Sequence, residues 1–490
     1  MNTFEQKRIK TFPFESGNAQ PIVPTGQKAW IFVSIMIACA IVFMVFLVST
    51  FKTINSVKLS LLVAAPASEF VPVKKASQNF RGLIFVSEKI DDNKIHLDSF
   101  DYIWNKIKES YWEDDFGGVD WNQAREELRP KIKEAKNVEE VRGILNEMIS
   151  RLGKSHYAVI PATTFKATQI ARTGNADSGL SFRLSSNKIL VSAVRKGSDA
   201  ERKGIRAGWQ ITAVGSKKVS DFLEKASSFS GVMRFETLVA YQFGNTITGP
   251  VAAKRKCSFL DQDQNEQSVE IELSEPPGRT VQYGNLPSMR IDMESRLLDS
   301  NVGYFRFTGF FDPVRLMPAF RKAVKDFREA DGLVIDIRGN GGGIVGMTMG
   351  MASPLTNNPA PLGVMKMKNS ELKLALFKNA RPYANKIAVL VDEASASASE
   401  IYAGGLQDLR IAKIFGRRTA GLSLPSTVEK LPNGDGFQYA IANYISASGK
   451  VLEGQGVTPD ETITLNQANL SKEIDPTLKR AIQWIQSKEQ

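Results

Sequence analysis

The sequence predicts an α/β protein. A layered core fills the C-terminal half, a small β-rich module and a helical segment precede it, and one apolar span lies near the N-terminus. Three observations predict this. From Val302 onward, short apolar runs such as Leu333-Val334-Ile335-Asp336-Ile337 alternate with helix-forming stretches, the pattern of a sheet covered by helices. Between about residues 171 and 276 the apolar runs are short, strand-like and separated by turn residues. Residues 30–50, from Trp30 to Thr50, carry no charged side chain and have the length of one bilayer crossing.

A chain of 490 residues exceeds one ordinary core, so two or three domains are expected. The net charge of +11 is the difference of 63 basic and 52 acidic residues spread along the chain. No basic block is interleaved with aromatics, which argues against nucleic-acid binding and is compatible with attraction to an anionic membrane surface. Cys39 and Cys257, the 2 cysteines, cannot build a disulfide framework or a zinc cluster, and no metal site is expected. Histidine chemistry has 2 candidates, His96 and His156.

In chain order, residues 1–28 form a polar tail broken by Pro13, Pro21 and Pro24. Residues 29–51 are the anchor. Ala38-Cys39-Ala40 lies inside the apolar run and Ala65-Pro66-Ala67 well beyond it, so neither is placed as a signal-peptide cleavage site. Lys7, Arg8 and Lys10 put the tail in the cytoplasm by the positive-inside rule, with Lys52 and Lys58 opposing that bias. The rest is then expected outside the cytoplasm, in the periplasm of a bacterium, tethered to its inner membrane. Residues 52–96 are a linker.

Residues 97–165 read as helical. Phe100, Ile103, Trp104 and Ile107 recur at helix spacing, Asp120 is placed to cap a second helix, and Asn137 with Glu140 forms a capping-box pattern for a third. Val141, Ile144, Leu145, Met148, Ile149 and Leu152 mark the apolar face of that third helix, and Gly153 ends it. His156 sits just past this end. A loop histidine is ordinarily a surface residue, and His96 has the same ordinary reading.

In residues 171–276, Gly179-Leu180-Ser181-Phe182 precedes a strand at 189–194, a short helix at 198–204 and a strand at 210–214. This order resembles a PDZ domain, with Ser181 where that family has its second glycine. The resemblance implies that the amides of Gly179, Leu180, Ser181 and Phe182 capture a peptide's terminal carboxylate, and that the peptide adds a strand to a sheet edge.

Residues 290–470 hold the layered core, with strands at 303–307, 333–337, 388–391 and 411–415 and a helix at 313–327; residues 471–490 close the chain as a helix. Gly341-Gly342-Gly343 lacks the lysine-serine/threonine ending of a phosphate loop. Glycines there equally allow a substrate backbone to approach and meet an amide. In Val391-Asp392-Glu393-Ala394-Ser395-Ala396-Ser397-Ala398-Ser399-Glu400 a buried strand gives way to a helix. A serine at such a turn is exposed, and the unpaired amides after it, backed by the helix dipole, favour developing negative charge. Locally, a serine-rich helix cap explains the stretch as well.

Four stretches match one family in order: Leu152-Gly153-Lys154-Ser155-His156, the segment from Asp336 to Gly343, Ser395-Ala396-Ser397-Ala398-Ser399-Glu400, and Leu452-Glu453-Gly454-Gln455-Gly456-Val457-Thr458-Pro459-Asp460. From Leu97 onward the chain resembles the tail-specific, or carboxyl-terminal processing, serine proteases. That resemblance implies an α/β crotonase-like (ClpP-like) core carrying a PDZ-like domain. Members with a serine-lysine dyad have a phenylalanine-glycine-lysine stretch where this chain has Ala420-Gly421-Leu422, so Leu422 replaces the lysine. The tricorn-like branch uses a serine-histidine pair and a late glutamate instead, which carries over to Ser397, His156, Ser155 and Glu453. In these roles Ser397 attacks a peptide carbonyl, His156 moves the proton, and Glu453, through Ser155, orients the imidazole and is expected to raise its pKa above the ordinary ~6.5. The amides of Ala398 and of Gly343 or Gly342 are expected to receive the oxyanion. No cofactor is implied; protein or peptide substrates are, and a homo-oligomer is compatible. Two other readings stay open: a scaffold with a decayed site, which the loss of lysine at 422 favours, and acyl-CoA chemistry on the same core, which leaves the PDZ-like module without a purpose.

Overall fold

The computed structural model describes residues 92–163, 176–227, 233–282, 289–471 and 475–488. The apolar span at 30–50 lies outside the described residues, and among those described no helix is long and apolar enough to cross a membrane.

Three helices open the described chain: α1 (Asp92–Ser110), α2 (Trp121–Glu134) and α3 (Val138–Ser150). Capping follows the sequence. Asp120 accepts from the Gln123 amide at 2.9 Å, and Asn137 accepts from the Glu140 amide at 2.9 Å. The third helix stops before Gly153, whose φ of 58° is the left-handed conformation that glycine adopts without penalty. The apolar faces of the three helices bury Phe100, Ile103, Leu128, Val141 and Leu145 against Leu424, Leu431, Phe437 and Tyr439. Those partners lie on and beside a hairpin, Ser426–Lys430 with Gly436–Ala440, to which Ala158–Ile160 adds a third antiparallel strand. His156 is thereby held between a packed helix end and a paired strand.

The β-rich segment is an antiparallel sheet of β1 (Leu180–Ser185), β2 (Lys188–Val194), β3 (Gln210–Val214), β4 (Lys254–Leu260) and β5 (Glu266–Glu272) in that spatial order, with Lys217–Lys218 pairing to β3. Alternate side chains point inward, and Phe182, Ile189, Val191, Ile211 and Phe259 form the sheet's share of its core. The helix α4 (Phe235–Asn245) covers β1, with the rings of Phe182 and Phe243 edge to face at 5.2 Å. Its two edge strands are β1 and β5.

The core sheet runs β6 (Met293–Leu297), β7 (Val302–Phe307), β8 (Gly332–Asp336), β9 (Lys386–Val391), β10 (Lys413–Gly416) and β11 (Glu461–Thr462). Only β6 is antiparallel to its neighbour. Parallel neighbours need crossovers, supplied by α5 (Pro313–Asp326), α6 (Val345–Ala352) and α7 (Ala398–Asp408). Those helices cover one face over Phe305, Leu333, Ile335, Val389 and Val391. On the other face α8 (Pro476–Gln486) sets Ala481, Trp484 and Ile485 against Val334, Ala388 and Leu390. Burial on both faces is why β8 and β9 read as unbroken apolar runs. The strand expected at 411–415 starts two residues later, because residues 409–412 finish the turn that leaves α7.

Candidate active site

Ser397 lies where β9 turns into α7. Its φ of 56° and ψ of −119° are outside the usual space for a residue with a Cβ, and such strain persists only where the surroundings over-determine it. The surroundings do so. The Ser397 amide donates to the Leu422 carbonyl at 2.9 Å and to Glu400 Oε2 at 3.1 Å. One residue earlier, the Ala396 amide donates to the Asn340 carbonyl at 3.1 Å.

The glycine turn packs directly beneath. A Cβ on Gly342 would stand 2.7 Å from the Ala396 carbonyl oxygen and 2.8 Å from Ser397 Cβ, so only glycine fits there. The Gly342 amide already donates to Asn340 Oδ1 at 2.9 Å, and its carbonyl accepts from the Phe310 amide at 2.8 Å. Of the amides expected to face an oxyanion, those of Gly343 and Ala398 have no acceptor among the described residues. Gly342 instead allows the close approach.

A second cluster forms around His156. Glu453 accepts from the Ser155 amide at 2.7 Å, from the Ser155 hydroxyl at 3.0 Å and from the Ser423 amide at 3.0 Å. Ser155 Oγ is 2.7 Å from His156 Nδ1. A serine hydroxyl has one proton. If it goes to the carboxylate, Nδ1 must be the donor to Oγ, and the lone pair of the neutral imidazole is then on Nε2. That is the tautomer able to accept a proton. No hydrogen bond joins His156 to Ser397 in this structure; the adjacent residues Leu422 and Ser423 link the two clusters, one bonded to Ser397 and the other to Glu453.

The expected electrostatics at His156 are corrected. Burial pushes its pKa down to about 4, whereas a glutamate partner was expected to raise it. The cause is desolvation of the ring, which outweighs a carboxylate that bonds Ser155 and not the imidazole. Burial also raises the Glu453 pKa, opposed by its three donors. His96 takes no part in either cluster.

Two residues near Ser397 do more than the sequence alone indicates. Asn340, fully buried, spans the glycine turn and the serine turn, donating to the Phe307 carbonyl at 3.1 Å and accepting at its own carbonyl from Ser399 Oγ at 2.9 Å. Glu400, also fully buried, takes four donors, and burial still pushes its pKa up to about 7. The β-rich segment docks on the same turn. Arg183 of β1 bonds Asp392 Oδ2 at 3.0 Å, Arg417 bonds Glu393 Oε2 at 2.8 Å and the Leu184 carbonyl at 2.9 Å, and Tyr241 donates to the Ala394 carbonyl at 2.9 Å. In the loop expected to take a carboxylate, the Gly179 amide donates to Asp177 Oδ1 at 2.9 Å and the Leu180 amide to Ser178 Oγ at 3.3 Å. Ser181 and Phe182 follow on β1 itself.

Comparison with known proteins agrees with this geometry. The model of peptidase family S41 matches residues 301–463, the segment holding Ser397 and Glu453. The tricorn protease C1 domain model matches residues 95–150, the three helices. Over residues 301–463 this chain is similar to the serine peptidases of family S41. The chain is 23% identical over 392 residues to carboxyl-terminal-processing peptidase 3, chloroplastic, of Arabidopsis thaliana, covering 78% of this chain and 72% of the relative. It is 24% identical over 379 residues to the carboxyl-terminal-processing protease of Synechocystis, covering 76% and 81%. Among solved structures, the photosystem II D1 C-terminal processing protease superposes with a TM-score of 0.53 at 21% identity, over 80% of this chain and 98% of that chain. Mature CPAF superposes with a TM-score of 0.55 at 16% identity, over 81% and 99%. At these identities the structures establish a shared fold.

Proposed function

We propose that this protein is a membrane-anchored serine endopeptidase that cleaves extracytoplasmic proteins or peptides, with a PDZ-like module on a crotonase-like core. The observation that carries the reading is the hydrogen-bonded chain from Glu453 through Ser155 to His156 Nδ1, tied to the strained Ser397 through the adjacent residues Leu422 and Ser423. Ser397 is the nucleophile and attacks the scissile carbonyl; His156 Nε2 takes its proton and returns it to the leaving amine. As the imidazolium forms, Ser155 and Glu453 stabilise it through Nδ1. The oxyanion is received by the amides of Ala398 and Gly343, of which each is worth about 3 kcal/mol of transition-state stabilisation in comparable sites.

The β-rich sheet supports peptide capture because its edge strand β1 lies against the turn that precedes Ser397. Residues 30–50 support the anchor, and Lys7, Arg8 and Lys10 support a bacterial inner-membrane orientation with the catalytic part in the periplasm. The deciding experiment is labelling of the full-length protein with a serine-directed phosphonate, peptide mapping, and peptidase assay of Ser397→Ala and His156→Ala. The expected outcome is one labelled peptide containing Ser397 and loss of nearly all turnover in both variants. Label elsewhere, or full activity in Ser397→Ala, would overturn the reading; a folded protein with no label and no turnover would favour the scaffold. For the topology, a cytoplasm-dependent reporter fused after Gln490 should be silent.

A further inference from the structure

We propose that Glu400 is a positioning residue of the peptidase: its carboxylate holds the main chain of Ser397 and of residues 419–423 in one register, and so sets the nucleophile against His156. The proposal rests on the reading of Ser397 and His156 given above.

A glutamate three residues into a helix ordinarily closes a capping box with one bond to the cap residue. Glu400 makes that bond, Oε2 accepting from the Ser397 amide at 3.1 Å. It then does three more things a capping box does not require. Its Oε1 accepts from Thr419 Oγ1 at 2.6 Å and from the Gly421 amide at 2.7 Å, and its Oε2 from the Leu422 amide at 2.8 Å. Four donors on two oxygens fill the acceptor capacity of a carboxylate that has no contact with solvent. A buried group so fully paired is rigid, since any displacement leaves an amide unsatisfied.

The loop it holds is the part that joins the two catalytic clusters. The amides of Gly421 and Leu422 go to Glu400, and the next amide, that of Ser423, goes to Glu453 at 3.0 Å. The Leu422 carbonyl returns to the Ser397 amide at 2.9 Å, and the Gly421 carbonyl accepts from the Gly454 amide, next to Glu453, at 2.9 Å. Thr419 fastens the loop's start, its hydroxyl accepting from the Val457 amide at 2.6 Å. Three consecutive amides are thus read by two glutamates, one bonded to the nucleophile's backbone and one to the histidine's partner. Losing Glu400 frees the loop at its nucleophile side while the Glu453 side stays fastened. The consequence falls on the alignment of Ser397 with His156 and leaves substrate binding alone.

The test uses the full-length protein in detergent and compares Glu400→Gln and Thr419→Val with wild type. It reads kcat and KM on a peptide substrate, the rate of phosphonate labelling at Ser397, and thermal unfolding. The glutamine amide turns an NH2 group toward two N–H donors, so a folded Glu400→Gln should lose about 100-fold in kcat and in labelling rate with KM within about threefold, as a misplaced but intact site would. Thr419→Val removes one of the four donors and should show a smaller loss in the same two rates, again with KM held. A wild-type kcat in a folded Glu400→Gln protein, or a loss in KM alone, would overturn the proposal. If Glu400→Gln does not fold, Thr419→Val decides: reduced kcat at constant KM supports it and wild-type kcat overturns it. Full activity in Ser397→Ala would instead remove the underlying catalytic reading.

Discussion

In the proposed mechanism His156 must be neutral to take the proton from Ser397, and burial favours that form by moving its pKa down to about 4. The sign follows directly. The unfolded imidazole protonates near ~6.5 while the folded one resists to about 4, so between these values the unfolded state binds more protons. The stability from the neutral ring is fully present above the unfolded pKa and is lost as pH falls toward the folded one. The acid limb of kcat/KM should accordingly lie below the ordinary histidine range, and its absence from His96→Ala is not expected; a limb at or above pH ~6.5 would contradict the burial argument. Ser155→Ala removes the hydroxyl between Nδ1 and Glu453 and should lower kcat by about 10² to 10⁴ with little change in KM, measured on the same peptide. His156 stands out in the sequence because the chain offers 2 histidines, and only His156 follows a defined helix end beside a serine. The direction of its pKa was not legible, because sequence pairs Glu453 with His156 through Ser155 without showing how deeply the ring is buried.

At the scale of elements, the nucleophile's turn depends on the close packing of the glycine turn under it. Gly342→Ala would drive a Cβ to 2.7 Å from the Ala396 carbonyl oxygen and 2.8 Å from Ser397 Cβ, and Gly342 itself has a φ of 100°. The variant should lose about 1–3 kcal/mol of stability by denaturant unfolding, and its phosphonate labelling should fall further than that loss explains. The buried strands β8 and β9, the caps of α2 and α3 and the strand-to-helix turn were legible because each depends on neighbours in sequence. Glu400 was hidden for the opposite reason. Ser397-Ala398-Ser399-Glu400 has a complete local explanation as a capping box, and the three extra donors come from residues 419–422, unrelated in sequence. The hairpin at 426–440 was missed likewise, since its apolar residues serve α1, α2 and α3 rather than its own segment.

At the scale of the whole molecule, the β-rich segment is attached to the core through charge. Arg183 and Arg417 meet Asp392 and Glu393, two buried carboxylates one turn ahead of Ser397. Buried ion pairs of this kind lose several kcal/mol when one partner is removed, which fixes the placement of β1 beside the catalytic turn. If that sheet takes a peptide's free carboxylate, a substrate blocked as its C-terminal amide should show a raised KM with kcat retained, measured on matched peptides. Equal kinetics for the two forms would remove the carboxylate role. The order of segments was legible in the motifs, whereas their contacts were not: Arg183, Arg417 and Asp392 read singly as ordinary surface charges.

The loop through Leu422 engages its neighbours with its main chain. The Leu422 amide faces Glu400 and its carbonyl faces Ser397, while the side chain at this position holds neither. The choice of general base is therefore separable from the framework that aims the nucleophile. A side chain exchanged at 422 leaves in place the main-chain bonds that hold Ser397, so under the proposed mechanism a change of chemistry there needs no change of architecture.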